Sequence, residues 1–209
     1  MQKENYSIVI QPTFFAPIIQ YVHIAKSTSI VFEIEDNFQK QTYRNRCYIS
    51  SANGKQLLNV PVVHNKGLKL KTKEIKIDNK VKWQQKHLRA LKTSYNASPF
   101  FEFYIDDLMA VFEKRWDYLI DLNMFCHQTI MEALDLRIAS KTSLEYIKNI
   151  EKNDFRGLAN VKEKKHYNLD PYYQLFEDRN GFLPNLSILD LLFLEGPNAL
   201  NYLEYQLTE

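Results

Sequence analysis

The chain has 209 residues, 45% apolar and 25% charged, with 27 Lys+Arg against 25 Asp+Glu for a formal net charge of +2. That length suits one domain with a real core better than two, and the near balance of charge argues against a nucleic-acid partner, which requires a basic surface. Only 5 glycines occur, and their spacing excludes both the G-x-G-x-x-G turn and the phosphate-binding G-x-x-x-x-G-K-[ST] loop.

Tyr6 to Ile10 is a short β-branched run closed by Gln11-Pro12, which predicts a buried strand ending in a turn. Ile18, Tyr21, Val22 and Ala25 recur at helical spacing within 18–27, and Ser29 to Ile34 predicts a second strand running into Glu35 and Asp36. Strand, helix and strand in about thirty residues make a βαβ unit, whose parallel strands are buried on both faces. Residues 8–11 and 30–34 are the expected parallel neighbours. Ligands gather at the carboxyl ends of such strands, where Gln11, Pro12, Glu35 and Asp36 fall.

Residues 43–62 read as a hairpin around Asn53-Gly54, and Glu74–Ile77 as a further strand. A helix over 80–95, capped by Asp78 or Asn79, aligns Trp83, His87, Leu88, Leu91 and Tyr95. Ser98-Pro99 predicts the cap and first residue of the next helix. Its ring-rich start, Phe100, Phe101, Phe103 and Tyr104, suits core packing or a partner surface. A helix over 117–134, apolar almost all round, is expected to be central. Residues 148–170 turn polar and read as a surface excursion or a lid, and the chain ends in a helical pair, 186–194 and 197–206, split by Gly196-Pro197.

The expected fold is a single α/β domain over 1–209: a short, mostly parallel sheet with flanking helices, a β-hairpin and a helical C-terminal half. Residues 1–7 lack the apolar stretch of a signal peptide, and no apolar run approaches the ~20 residues that span a bilayer. Cys47 and Cys126, far apart and without metal-ligand spacing, read as buried free thiols of a reducing compartment. A cytoplasmic location follows as an expectation.

Chemistry concentrates in Gln39 to Ile49. With Cys47 and Ile49 facing the core, a period of two sends Lys40, Thr42, Arg44, Arg46 and Tyr48 to the opposite face. Three cations and two hydroxyls on one strip suit a phosphate or carboxylate. The strip also fits a solvated face whose arginines pair with local carboxylates. Trp83 and His87, four apart on one helix, share a surface; the imidazole suits proton transfer or a phosphate oxygen, and equally a core-edge ring. Glu33, Glu35 and Asp36 suit a base or a divalent cation, or simply a strand end. His23, His64, His127 and His166 show no zinc-ligand pairing, and no G-x-S-x-G elbow occurs. Nothing names a cofactor or an oligomeric state.

Five stretches resemble the WbqC-like family in its Bacteroidetes-type form: Phe14–Tyr21, Asn37–Cys47, Asn53-Gly54 with Asn59–Val62, Trp83–Glu102 and Gly181–Pro197. Two departures stand out. Ala16 occupies the family's first proline position, and Glu35 replaces its usual histidine near the end of the second strand. Longer relatives carry a strand and a small-residue turn between the central and final helices, a place expected here for the polar segment 148–170. The resemblance implies a protein of surface-polysaccharide (O-antigen) biosynthesis, with amino-acid (glycine) transfer suggested for the family. Such a transferase would take a phosphorylated or nucleotide-activated small molecule. Lys40, Arg44 and Arg46 would hold the anion, and Asn45 and Gln11 would orient it. His87 would move the proton, Asp36 would serve as catalytic carboxylate or metal carrier, and Trp83 or Tyr43 would stack on a ring. Arg44, Arg46, His87 and Gln11 are then expected around one concave site. The alternative is a non-catalytic binding or assembly module of the same pathway, whose strip meets an acidic protein surface.

Overall fold

The structure, a computed structural model, describes residues 6–63, 68–161 and 167–207. Strand β1 (Ser7–Ile10), helix α1 (Ile18–Lys26) and strand β2 (Ser29–Phe32) form the expected unit, with the strands parallel and Ile8 opposite Ile30. Alternation puts Ile8, Ile10, Ile30 and Phe32 in the core, all nearly inaccessible, while Val9 and Val31 are half-buried. One face of the sheet is thus the core face, rather than both. A third parallel strand, β5 (Ala139–Thr142), pairs with β2, giving the order β1-β2-β5. It has no apolar run to announce it, because all four residues are exposed. A strand therefore does lie between the central helices and the C-terminal ones, in 139–142.

The other edge of β1 is covered by part of the polar segment 148–170. Asn153 accepts from the Val9 amide, Phe155 donates back to the Val9 carbonyl, and Phe155 stacks on His23 with centroids 3.9 Å apart. Leu158 and Ala159 are buried. Residues 153–159 thus border the sheet and are held there by these apolar anchors. Positions 162–166, which complete the expected lid and include His166, lie outside the described residues, as does His64.

The hairpin pairs β3 (Arg46–Ser51) antiparallel with β4 (Gly54–Asn59). Its turn residues are Ala52 and Asn53, and Gly54 opens the return strand at φ 93, the left-handed region where a side chain is strained. Glu74–Ile77 is not a strand: a 3₁₀ turn over Thr72–Glu74 is followed by single bridges from Lys76 to Tyr118 and from Val62 to Ile77. Helix α2 (Trp83–Tyr95) starts at a Lys82 cap, later than Asp78 or Asn79. Ser98 bonds back to the Tyr95 carbonyl and finishes α2, so α3 (Phe101–Glu113) begins three residues on. Phe101 and Tyr104 enter the core, and Phe103 stays exposed.

Helix α4 (Leu119–Ala133) buries one face and exposes Asp121, Gln128 and Glu132. The helices at the centre are instead α1, buried from Ile18 to Ala25, and α6 (Ile188–Glu195), buried from Ile188 to Leu194. A four-residue α5 (Glu177–Asn180) precedes α6, and α7 (Ala199–Tyr205) closes the chain. Gly196, at φ 52, separates α6 from α7; a β-carbon there would sit 2.5 Å from the Phe100 ring. Cys47 and Cys126 are buried free thiols. No helix among the described residues is long and apolar enough to cross a membrane.

Candidate functional site

Three chain segments meet at the carboxyl ends of β1, β2 and β5. The first is the turn after β1, starting at Gln11. Gln20 of α1 fixes it by donating to the Gln11 carbonyl and accepting from Thr13. The second is the turn 40–45. It is joined to the first by the Phe14 amide on the Tyr43 carbonyl, and by buried Asn123 of α4, whose amide donates to the carbonyls of Pro12 and Arg44. The third is the border segment, whose Ala159 carbonyl accepts from the Tyr43 amide. Residues 40–45 form a turn, with Gln41 at φ 61, and β3 begins only at Arg46. Strand alternation therefore does not govern Lys40, Thr42 and Arg44, and the expected strip does not form.

A cleft of about 660 Å³ opens between these segments, lined at its floor by Gln11, Asp36 and Arg44. Around this floor the lining includes Glu35, Lys71, Tyr146, Arg156, Gly157 and Asn160. The volume lies in the range of small-molecule sites. Other concavities of similar size, one along Val63 to Tyr118 and one between α4 and the start of β5, do not include the strand ends.

The floor is one network. Arg44, 4% exposed, donates through Nη2 to Asp36 Oδ2 at 2.6 Å, and Gln11 Nε2 donates to the same oxygen at 3.0 Å. Thr72 Oγ1 donates to Asp36 Oδ1 at 2.6 Å. Burial lowers the Arg44 pKa and the Asp36 carboxylate opposes that shift. Two buried atoms of this floor, Gln11 Oε1 and Arg44 Nε, have no hydrogen-bond partner among the described residues. Buried polar atoms are ordinarily paired, so the floor leaves one acceptor and one donor unsatisfied.

The rims are ion pairs. Lys71 and Lys73 both bind Glu35, at 2.7 and 2.5 Å, and these two contacts hold its carboxyl below the ordinary range. Arg156 grips Asp154 through Nε at 2.8 Å and Nη2 at 2.6 Å, a two-point contact that keeps the guanidinium plane fixed. The cations Arg44, Lys71 and Arg156 thus face the cleft with their charges partly met by Asp36, Glu35 and Asp154. Asp36 and Glu35 are occupied by donors and cations, and no cluster of three potential metal ligands occurs among the described residues.

Of the residues singled out in sequence, Gln11, Asp36 and Arg44 line the cleft together; Lys40, Tyr43, Asn45, Arg46, Trp83 and His87 do not. Lys40 is exposed on the turn. Tyr43 is half-buried edge-on to Tyr48, and burial pushes its hydroxyl up to about 12. Asn45 ties the turn to β4 through Asn59 Oδ1 and the Val60 carbonyl. Arg46, half-buried, lies opposite Asn59 in the hairpin. Trp83 and His87 are core residues, 2% and 4% exposed, packed with Phe14. His87 Nε2 meets the Asn59 carbonyl at 3.2 Å, and burial lowers its pKa to about 4. The expected concave site around Arg44, Arg46, His87 and Gln11 is therefore halved: Arg44 and Gln11 share it, and His87 is walled off by rings.

Sequence reasoning missed Lys71, Tyr146, Arg156 and Asn123. The first three sit in polar stretches without periodicity, and Asn123 lies at a helix position whose burial only the tertiary packing decides.

The family model described as the WbqC-like protein family matches residues 11–167, a span containing every residue that lines the cleft. An uncharacterised protein of Mycobacterium tuberculosis, Rv1507c, is 27% identical over 205 residues, covering 83% of this chain and 87% of its own. No solved structure matches.

Proposed function

This chain belongs to the WbqC-like protein family, and from the cleft it carries we propose a transferase of cell-surface polysaccharide (O-antigen-type) biosynthesis. It works in the cytoplasm on a phosphorylated or nucleotide-activated substrate, and amino-acid (glycine) transfer is the narrower form of the reaction. The observation that supports this most is the placement of Arg44, Lys71 and Arg156 around one cleft at the carboxyl ends of parallel strands. Arg44 and Lys71 meet the anionic group, Gln11 orients it by a neutral hydrogen bond, and Asp36 is the positioning residue that orients Arg44.

A second reading, a non-catalytic binding module of the same pathway, is favoured by one feature. Among the described residues, the cleft lining includes no histidine or cysteine, and its two carboxylates are already engaged by cations. Product formation separates the two readings.

The test is thermal-shift and calorimetric screening against nucleotide sugars, sugar phosphates and amino acids. A ligand that binds only the folded chain raises the melting temperature. A charge-assisted arginine contact is worth about 1.5–3 kcal/mol, so Arg44→Lys, which keeps a cation beside Asp36, should weaken binding roughly ten- to hundredfold. Binding unchanged in Arg44→Lys, or no stabilisation by any compound of the panel, would overturn the proposal.

A further inference from the structure

The cleft lining carries an aromatic side chain that the floor network does not use. Tyr146 lines the cleft yet is 50% exposed. The Arg156 guanidinium stands over its ring at 5.7 Å from the centroid, an attractive cation–π arrangement. Half of an aromatic side chain left to solvent inside a cleft is a ring face available for stacking.

The platform is built, and the group that builds it is Glu33. This carboxylate, fully buried just past the end of β2, accepts from the Ser143 hydroxyl and the Glu35 amide through Oε1, and from the Ile147 amide through Oε2. Ser143 in turn accepts from the Ile34 amide, and Arg156 Nη1 donates to the Ile147 carbonyl at 2.6 Å. The residues on both sides of the loop 144–146 are therefore tied to β2, and Arg156 is fixed from two directions, by Asp154 and by Ile147. A ring surface held in place before a ligand arrives binds at lower entropic cost.

Resting on the reading of this cleft as the substrate site, we infer that Tyr146, backed by Arg156, is the platform on which the nucleobase of a nucleotide substrate stacks. The phosphates then extend toward Arg44 and Lys71. The substrate class is a nucleoside diphosphate or its sugar conjugate, rather than a simple sugar phosphate. Trp83 and Tyr43 play no part, because neither lines the cleft.

Calorimetry on the full chain at low salt provides the test, with UDP, CDP, GDP, ADP and dTDP set against two probes that lack a base, pyrophosphate and ribose 5-phosphate. At least one nucleoside diphosphate should bind more tightly than both base-free probes. Tyr146→Ala should remove that advantage, a roughly five- to hundredfold loss of affinity for the nucleotide alone, and Tyr146→Phe should keep it. The base protons of the bound nucleotide should also move upfield in the NMR spectrum of the unsubstituted chain, a readout independent of how the variants fold. Base-free probes that bind as well as the best nucleotide, and lose affinity in Arg44→Lys, would sink this inference and leave the cleft assignment standing. Persistence of the nucleotide advantage in Tyr146→Ala would sink it too. Failure of every probe to bind would overturn both.

Discussion

Arg44 and Asp36 form an ion pair that is almost entirely withdrawn from water: Nη2 lies 2.6 Å from Oδ2, and the two side chains are 4% and 11% exposed. Removing one partner leaves the other charge buried and uncompensated, at a cost of about 3–5 kcal/mol. Arg44→Ala and Asp36→Ala should each show that loss in urea unfolding. Replacing both, as in Arg44→Met with Asp36→Leu, should recover much of it, because a well-packed apolar pair is often as stable as a buried ion pair. Ligand binding should not return. Full recovery of binding in the double variant would show that the pair serves only the fold.

Burial pushes His23, His87 and His127 down to about 4, with Lys26 adding to the effect at His23. An unfolded histidine titrates near 6.5, so between these values the unfolded chain binds more protons. The stability from keeping the three rings neutral is then complete above about pH 6.5 and is lost as pH falls toward 4. Urea denaturation at pH 7 and pH 5 should differ by roughly 3–5 kcal/mol. A folded His87→Phe variant should show a shallower pH dependence. Equal stability at both pH values would contradict the buried, neutral state.

How much of this was legible in the sequence differs from element to element. The β1–α1–β2 unit was readable because its apolar residues follow the strand and helix periods and a Pro12 turn divides them. β5 was not: its four residues, Ala139 to Thr142, are polar or small and exposed, so their only structural signal is pairing with β2. The turn 40–45 resembles a strand in residue type, and the positive φ of Gln41 that breaks it has no glycine or Asn-Gly signature. Gln11, Asp36 and Arg44 could be found because strand ends and charged residues mark them. His87 could not be told from a site histidine, since the rings that enclose it come from Phe14 and Trp83. Tyr146 left no trace, because its loop is fixed by Glu33, bonded to the next residue, Ile147, across 114 positions of chain.

Asp190 gives a control away from the cleft. It is fully buried in α6 and accepts from the hydroxyls of Tyr95 and Tyr172, each at 2.5 Å, and from Gln174. Burial raises its pKa, and these donors oppose the rise. Tyr95→Phe removes one donor and should cost about 1–3 kcal/mol of stability. Affinity for any cleft ligand should be unchanged in calorimetry, in contrast to Arg44→Lys. A matching loss of affinity would mean that the cleft senses general loosening of the core.

Glu33→Gln replaces an acceptor-only carboxylate by an amide facing the donors Ser143, Glu35 N and Ile147 N. One of those donors loses its partner, so stability should fall by about 1–3 kcal/mol. Amide hydrogen exchange in 143–147 should speed up more than in β1 or α1. Uniform acceleration across the chain would show that Glu33 supports the whole fold rather than this loop.

The most direct test of the cleft as the substrate site is amide chemical-shift mapping with the nucleoside diphosphate that most raises the melting temperature. The perturbed residues should gather at Gln11, Asp36, Arg44, Lys71, Tyr146 and Arg156, with His87 and Trp83 unmoved. Perturbations centred instead on His87 and the β3–β4 hairpin, or on the groove between α4 and β5, would contradict it.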